Sequence, residues 1–256
     1  MKIASPDNSK IKNLKKLKQK KYRKNFGEFL VENLVIISDA LKAGYKPMAI
    51  FATSNFSAKN RTELEKIIKQ SDLNDYWEIS DKINKSFSNL EIPSGLTAVY
   101  KLPAEKELLF DQSILYLNNI SDPGNLGAIF RSAVAFNHSH IILDETCADA
   151  YNYKTINAAK DAIFKINIIY DDNLRLLKQL KGQLPIISTA TVGAQGLDIL
   201  KKTNKRCLVF GSESRGVAEK IRQLADSSVK IKMSREMESL NVASAAAIIL
   251  HYIYNQ

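Results

Sequence analysis

The feature that most constrains this chain is an alternation running through its last 150 residues or so. Six short apolar runs, SILYLNNI, HIILD, FKINIIY, LPIISTA, RCLVF and SVKIKM, are separated by helical patterns near 126–137, 154–160, 172–181, 217–225 and 240–254. Runs of this length rich in Ile, Leu and Val suit strands buried on both faces. Their alternation with helices predicts an α/β domain with a mostly parallel sheet. The first hundred residues read as a smaller α/β unit. FGEFLVENLVIISDALKAG gives a strand and then a helix closed by Gly44, MAIFAT a second strand, 62–70 a helix, and YWEIS and LTAVYKL two more apolar pieces. Apolar periodicity lapses over 102–112, which contains Pro103, so a linker is expected there and the domains are drawn as 1–105 and 106–256.

Charge is distributed unevenly between the two parts. Residues 1–105 hold 19 Lys and Arg against 12 Asp and Glu, while 106–256 hold 18 against 15. In the first 25 residues ten cations face one acid, Asp7. The run IKNLKKLKQKKYRK spaces Ile11, Leu14 and Leu17 by three residues, which predicts an amphipathic helix with its lysines outward. Such a helix is either a solvated face, a weak anchor on anionic lipid, or a contact for nucleic-acid phosphates; the narrow apolar stripe without Trp or Phe favours phosphate. The 45% hydrophobic content excludes a disordered chain. The most apolar stretch, 242–254, is too short and too polar for a bilayer, and no apolar segment follows the basic N-terminus, so no membrane partner and a cytoplasmic location are expected. Cys147 and Cys207 stand far apart without neighbouring Cys or His, which fits reduced buried thiols and no metal site.

Ligands of parallel α/β sheets bind outside the carboxyl ends of the strands, so three loops there hold the interest. In NNISDPGNLGAIFRSA a turn at Asp122, Pro123 and Gly124 precedes a helix that Asn125 could cap and that contains Arg131. In CLVFGSESRGV two glycines, Gly211 and Gly216, bracket Glu213, suggesting close backbone approach to a ligand; neither a P-loop nor a dinucleotide glycine fingerprint is present. In VKIKMSREMESLNVASAAAIILHY a strand enters a polar loop and then a helix of small residues, with Ser239 a possible cap. Each loop alone also fits an ordinary structural turn.

Together, in this order and spacing, DPGNLGAIFRSA, LVFGSESRGV and IKMSREMESLNVASAAAIIL resemble the three motifs of the SpoU (TrmH) family of RNA ribose 2′-O-methyltransferases. The basic opening, SPDNSKIKNLKKLKQKKYRKNFGEFLVEN, is similar to the substrate-binding domain that many members have at their N-terminus. The resemblance implies a C-terminal trefoil-knotted domain, a homodimer with active sites at the subunit interface, S-adenosylmethionine as methyl donor, and RNA as substrate, ribosomal RNA before tRNA. It further implies that Asn125, Arg131, Glu213, Ser239 and Asn241 form the catalytic constellation, and that Gly211, Ile231, Leu240 and Thr189 border the donor pocket.

These residue types suit the reaction. A ribose 2′-OH is a poor nucleophile that must be aligned with the methyl group and relieved of its proton. The resemblance implies that Arg131 acts on that hydroxyl; a guanidinium holds its own proton in proteins, so orientation and charge stabilisation suit it best, and the base is left open. Asn125 and Asn241 can pair donor and acceptor atoms, with Glu213 fixing their geometry. The chain departs from the family pattern at Ala159 and Asp161, where Ser and Gly are common, at Lys232 in place of a Pro, and in reading VENL where many show Gly after the Glu. A non-catalytic RNA-binding assembly factor on the same fold is the rival reading.

Overall fold

The computed structural model describes residues 1–73, 76–104, 107, 111–191, 193–202, 205–234 and 236–256. They form two compact units, Met1–Pro103 with Tyr151–Asn157, and Ala104–Ala150 with Ala158–Gln256. Part of the expected linker, 105–106 and 108–110, lies outside the described residues.

The first unit runs α1 (Ser9–Lys16), α2 (Lys20–Phe26), β1 (Glu28–Val31), α3 (Leu34–Lys42), β2 (Ala49–Thr53), α4 (Ser54–Lys59), α5 (Arg61–Ser71), β3 (Tyr76–Ile79), α6 (Asp81–Phe87) and β4 (Leu96–Lys101). Its sheet has the order β1-β4-β2-β3, antiparallel at β1/β4 and β2/β4 and parallel at β2/β3. The single basic helix expected over 11–24 is two helices, broken where Gln19 is extended. The break is stabilised from within the cationic run: Arg23 is buried and its Nη1 donates to the Leu17 carbonyl at the end of α1, at 2.6 Å. Ile11, Leu14 and Leu17 are buried with Phe51, Phe87 and Val99, so the basic segment is part of this unit's core rather than an appendage.

The second unit runs β5 (Ile114–Leu117), α7 (Pro123–Ala135), β6 (His140–Asp144), α8 (Tyr153–Ala159, which begins in the segment grouped with the first unit), α9 (Ala162–Lys165), β7 (Asn167–Asp171), α10 (Arg175–Leu180), β8 (Ile186–Thr189), a 3₁₀ helix (Leu197–Lys202), β9 (Cys207–Phe210), α11 (Glu219–Arg222), β10 (Ser227–Val229) and α12 (Val242–Tyr254). All six expected strands are present in one sheet of order β10-β8-β9-β5-β6-β7, parallel at every pairing. The last expected strand is shorter than SVKIKM: it ends at Val229, Lys230 N donates to the Gln195 carbonyl at 2.8 Å, and the described residues of 231–240 form no helix or strand.

This order places the site. The chain leaves β5 toward β6 on one side, whereas β9 leads to β10 on the other. Between the neighbours β5 and β9 the sheet therefore has its topological switch point, where loops diverge and open a crevice at the strands' carboxyl ends. Among the described residues no helix is long and apolar enough to cross a membrane.

Candidate functional site

Beyond β9 the chain makes a closed loop. Gly216 N donates to the Ser212 carbonyl at 2.8 Å, and Gly216 takes the left-handed φ of +64° that glycine tolerates best. A Cβ on Gly211 would stand 2.1 Å from the Gly216 carbonyl carbon. The close approach that the sequence suggested is thus satisfied within the loop itself, backbone against backbone.

On one side of this loop, α7 begins with Asp122 as its N-cap, not Asn125: Asp122 Oδ1 accepts the Asn125 N–H at 2.7 Å, with Pro123 in the first turn. That releases the Asn125 side chain, whose Nδ2 donates to Glu213 Oε1 at 3.0 Å. On the other side, α12 is capped by Asn241, not Ser239. Asn241 Oδ1 accepts from Ala243 N at 2.9 Å and Ser244 N at 3.3 Å. Its Nδ2 donates to Glu213 Oε1 and, at 2.9 Å, to Asn125 Oδ1. Val242 N adds another bond to the same Glu213 oxygen at 3.2 Å. One carboxylate oxygen therefore gathers three donors from two helix starts, joining residues 88, 28 and 116 positions apart.

Beside this cluster opens a cavity of about 550 Å³. Gly211, Glu213, Ser239, Thr189, Ile231 and Leu240 line it, so six of the nine residues singled out in the sequence share its wall. Asn125 and Asn241 adjoin it through Glu213. Arg131 does not: it is exposed on α7, with no hydrogen bond or ion pair among the described residues. Six helical positions separate it from Asn125, about 9 Å along the axis and 120° short of two turns, so it stands on a different side of α7.

Phe210, Val217, Val229 and Ile249 supply apolar wall, and Thr189 is fixed by its Oγ1 donating to the Val209 carbonyl at 3.1 Å. The sequence reading missed Arg215, Met233 and Glu238, which also line the cavity although all three lie inside the motif loops. Their position in those loops was the available signal. The room, the apolar walls and the loop backbone at the mouth suit a small organic ligand with polar ends. At the departures from the family pattern, Ala159 is buried and Asp161 is engaged by Lys165 Nζ; neither lines the cavity.

Comparison with known proteins bears on the family and the fold. Residues 112–251 match the family model described as the SpoU rRNA Methylase family, and residues 8–98 match an MRM3-like substrate binding domain. The chain is 28% identical over 252 residues, 98% of either chain, to the 23S rRNA (guanosine(2553)-2′-O)-methyltransferase RlmP of Bacillus subtilis. It is similar to a crystal structure of an RNA 2′-O ribose methyltransferase, with a TM-score of 0.79, 26% identity and coverage of 100% of this chain and 99% of that one. The fold also matches that of an AdoMet-bound rRNA methyltransferase from Sinorhizobium meliloti, with a TM-score of 0.82, 22% identity and coverage of 100% and 97%.

Proposed function

Since this chain belongs to the SpoU rRNA methylase family, we propose that it transfers a methyl group from S-adenosylmethionine to a ribose 2′-OH, with ribosomal RNA as the substrate. The observation that supports this most is the joining of Asn125, Glu213 and Asn241 beside the switch-point cavity, because three separate motifs converge there on one carboxylate oxygen. When bound, the donor supplies an electrophilic methyl on a sulfonium centre. Gly211, Thr189, Ile231 and Leu240 would hold it, and the apolar and backbone character of the cavity suits an adenosine moiety.

The chain's own groups then have distinct tasks. Glu213 fixes both asparagine amides before substrate arrives, so their geometry needs no reorganisation when RNA binds. Ser239, exposed on the cavity wall, is placed to meet a substrate or donor hydroxyl. Arg131, exposed and without a partner among the described residues, is available for RNA phosphate or for charge developing on the ribose oxygen. Its exposed place outside its own chain's cavity supports a homodimer in which each Arg131 serves the other chain's site. The exposed Ile248 and Tyr254 of α12 give that dimer an apolar surface. We extend the family reading to the trefoil knot, to an RNA-binding role for residues 1–105 ahead of a methyltransferase domain at 106–256, and to the cytoplasm, where the free thiols Cys147 and Cys207 would stay reduced.

Incubation with tritiated S-adenosylmethionine and unmodified ribosomal RNA or tRNA tests the reading. Label is expected in ribosomal RNA. Label in tRNA alone overturns the substrate assignment, and donor binding without label in either RNA favours an assembly factor.

A further inference from the structure

Asn118 follows β5 directly, at the crevice edge, and is buried. Its backbone N–H extends the pairing with β9 by donating to the Phe210 carbonyl at 2.8 Å. The side chain reaches both ways across the switch point. Its Oδ1 accepts the Ala218 N–H at 2.9 Å, closing the far end of the loop 211–217 where α11 starts. Its Nδ2 donates to Asp144 Oδ2 at the end of β6.

Asp144, also buried, is saturated by that loop and its own: it accepts from Asn119 N at 3.1 and 3.2 Å, from Thr146 N at 3.0 Å and from Thr146 Oγ1 at 2.8 Å. Asn119 takes a left-handed φ of +57°, the turn that sends the chain toward Asp122 and α7. The neighbouring bonds reinforce the latch, since Ala148 N donates to the Ile120 carbonyl at 2.9 Å and Cys147 Sγ to the Leu117 carbonyl at 3.2 Å.

Asn125 lies at the far end of one of these loops and Glu213 within the other. A buried amide oriented by a carboxylate can present only its oxygen to Ala218, which fixes the sign as well as the place of the contact. We propose that Asn118, oriented by Asp144, is a positioning residue that sets the spacing of the donor-side loop 211–217 against the loop leading to Asn125. The proposal rests on the methyl-transfer reading for its consequence and on hydrogen bonding alone for its geometry.

The test is an exchange of the pair. Asn118→Asp sets two carboxylates against each other; with Asp144→Asn added, an amide again faces a carboxylate and the acceptor for Ala218 N is kept. Steady-state transfer from S-adenosylmethionine to unmodified ribosomal RNA should show, for Asn118→Asp, a donor KM raised about tenfold and a lower kcat. The double variant should return to within about threefold of the native enzyme. Loss of folded protein alone would lower kcat and leave donor KM unchanged.

Ala218→Pro provides a second variant. Its φ of −58° suits proline, but the ring Cδ takes the place of the donated hydrogen and meets Asn118 Oδ1, so the variant both removes the bond and pushes the two groups apart, and it should reproduce the KM effect. Hydrogen exchange of the 211–217 amides in the ligand-free protein reads the clamp without any catalysis, and should quicken tenfold or more in Asn118→Asp. Unchanged exchange in that variant, or a double variant no better than the single, overturns the proposal. A native protein that neither binds donor nor methylates RNA overturns the methyl-transfer reading, with the exchange result still deciding the clamp.

Discussion

Asn241 does two things with one side chain, and substitutions can separate them. Its oxygen caps α12 while its nitrogen binds Glu213 and Asn125. Asn241→Ala should cost about 1 kcal/mol in unfolding, the usual worth of an N-cap, and lower turnover on the order of a hundredfold, as loss of a preorganised donor does. Asn241→Ser keeps a capping oxygen but loses the amide donor, so thermal unfolding should stay near native while methyl transfer falls as far. Gly211→Ala forces a Cβ into the Gly216 backbone and should abolish donor binding by calorimetry. Burial pushes the Cys147 thiol up to about 12 and the Cys207 thiol higher still. At pH 8 both are therefore protonated, and a thiol reagent should label neither until denaturant is added. At this scale the motif residues were legible, but their local duties were not. Asp122 and Asn125 are both good caps by type, as are Ser239 and Asn241, and only the fold shows which oxygen meets the free N–H groups. Nothing local marks Asn118, because its partners lie 26 and 100 positions away.

The elements divide by how they are stabilised. Five of the six strands of the large sheet were legible because each is a short, mainly aliphatic run that is largely buried; β10 is the exception, with only Val229 of its three residues buried. Helices of four to seven residues, such as α4, α6 and α9, are too short for a 3.6-residue period to show; they are held by caps such as Thr53 and Ser80 and by packing. The basic segment shows a composition feature whose physical setting changes its test. Deleting it would remove buried Ile11, Leu14 and Leu17 and unfold the first unit as well as discharge it. Leu14→Ala should cost roughly 2–5 kcal/mol in urea unfolding. Replacing the exposed Lys12, Lys16, Lys20 and Lys24 by Ala should instead leave the fold intact and weaken RNA binding. The dependence of affinity on salt should flatten as well, by close to one unit of slope for each phosphate that is no longer neutralised. Unchanged affinity and slope would make this a solvated face.

At the scale of the whole molecule, parallel strands and their order bring distant motifs to one crevice. The order in which strands are added reverses between the parallel neighbours β5 and β9, so the loop with Asn125 and the loop with Glu213 start from adjacent strands, and α12 brings Asn241 to both. Alternation in the sequence predicted the parallel sheet; the strand order depends on long crossings that no local pattern encodes. The proposed dimer belongs to this scale as well, and sedimentation should give twice the 28.7 kDa chain mass. The central claim is that this arrangement methylates a ribose oxygen. The most direct measurement is nuclease digestion of ribosomal RNA treated with the enzyme and isotope-labelled S-adenosylmethionine, followed by mass spectrometry of the nucleosides, with Arg131→Ala in parallel. Label is expected in a 2′-O-methyl nucleoside with the native enzyme and none with Arg131→Ala. Label on a base, or equal label with the variant, would contradict it.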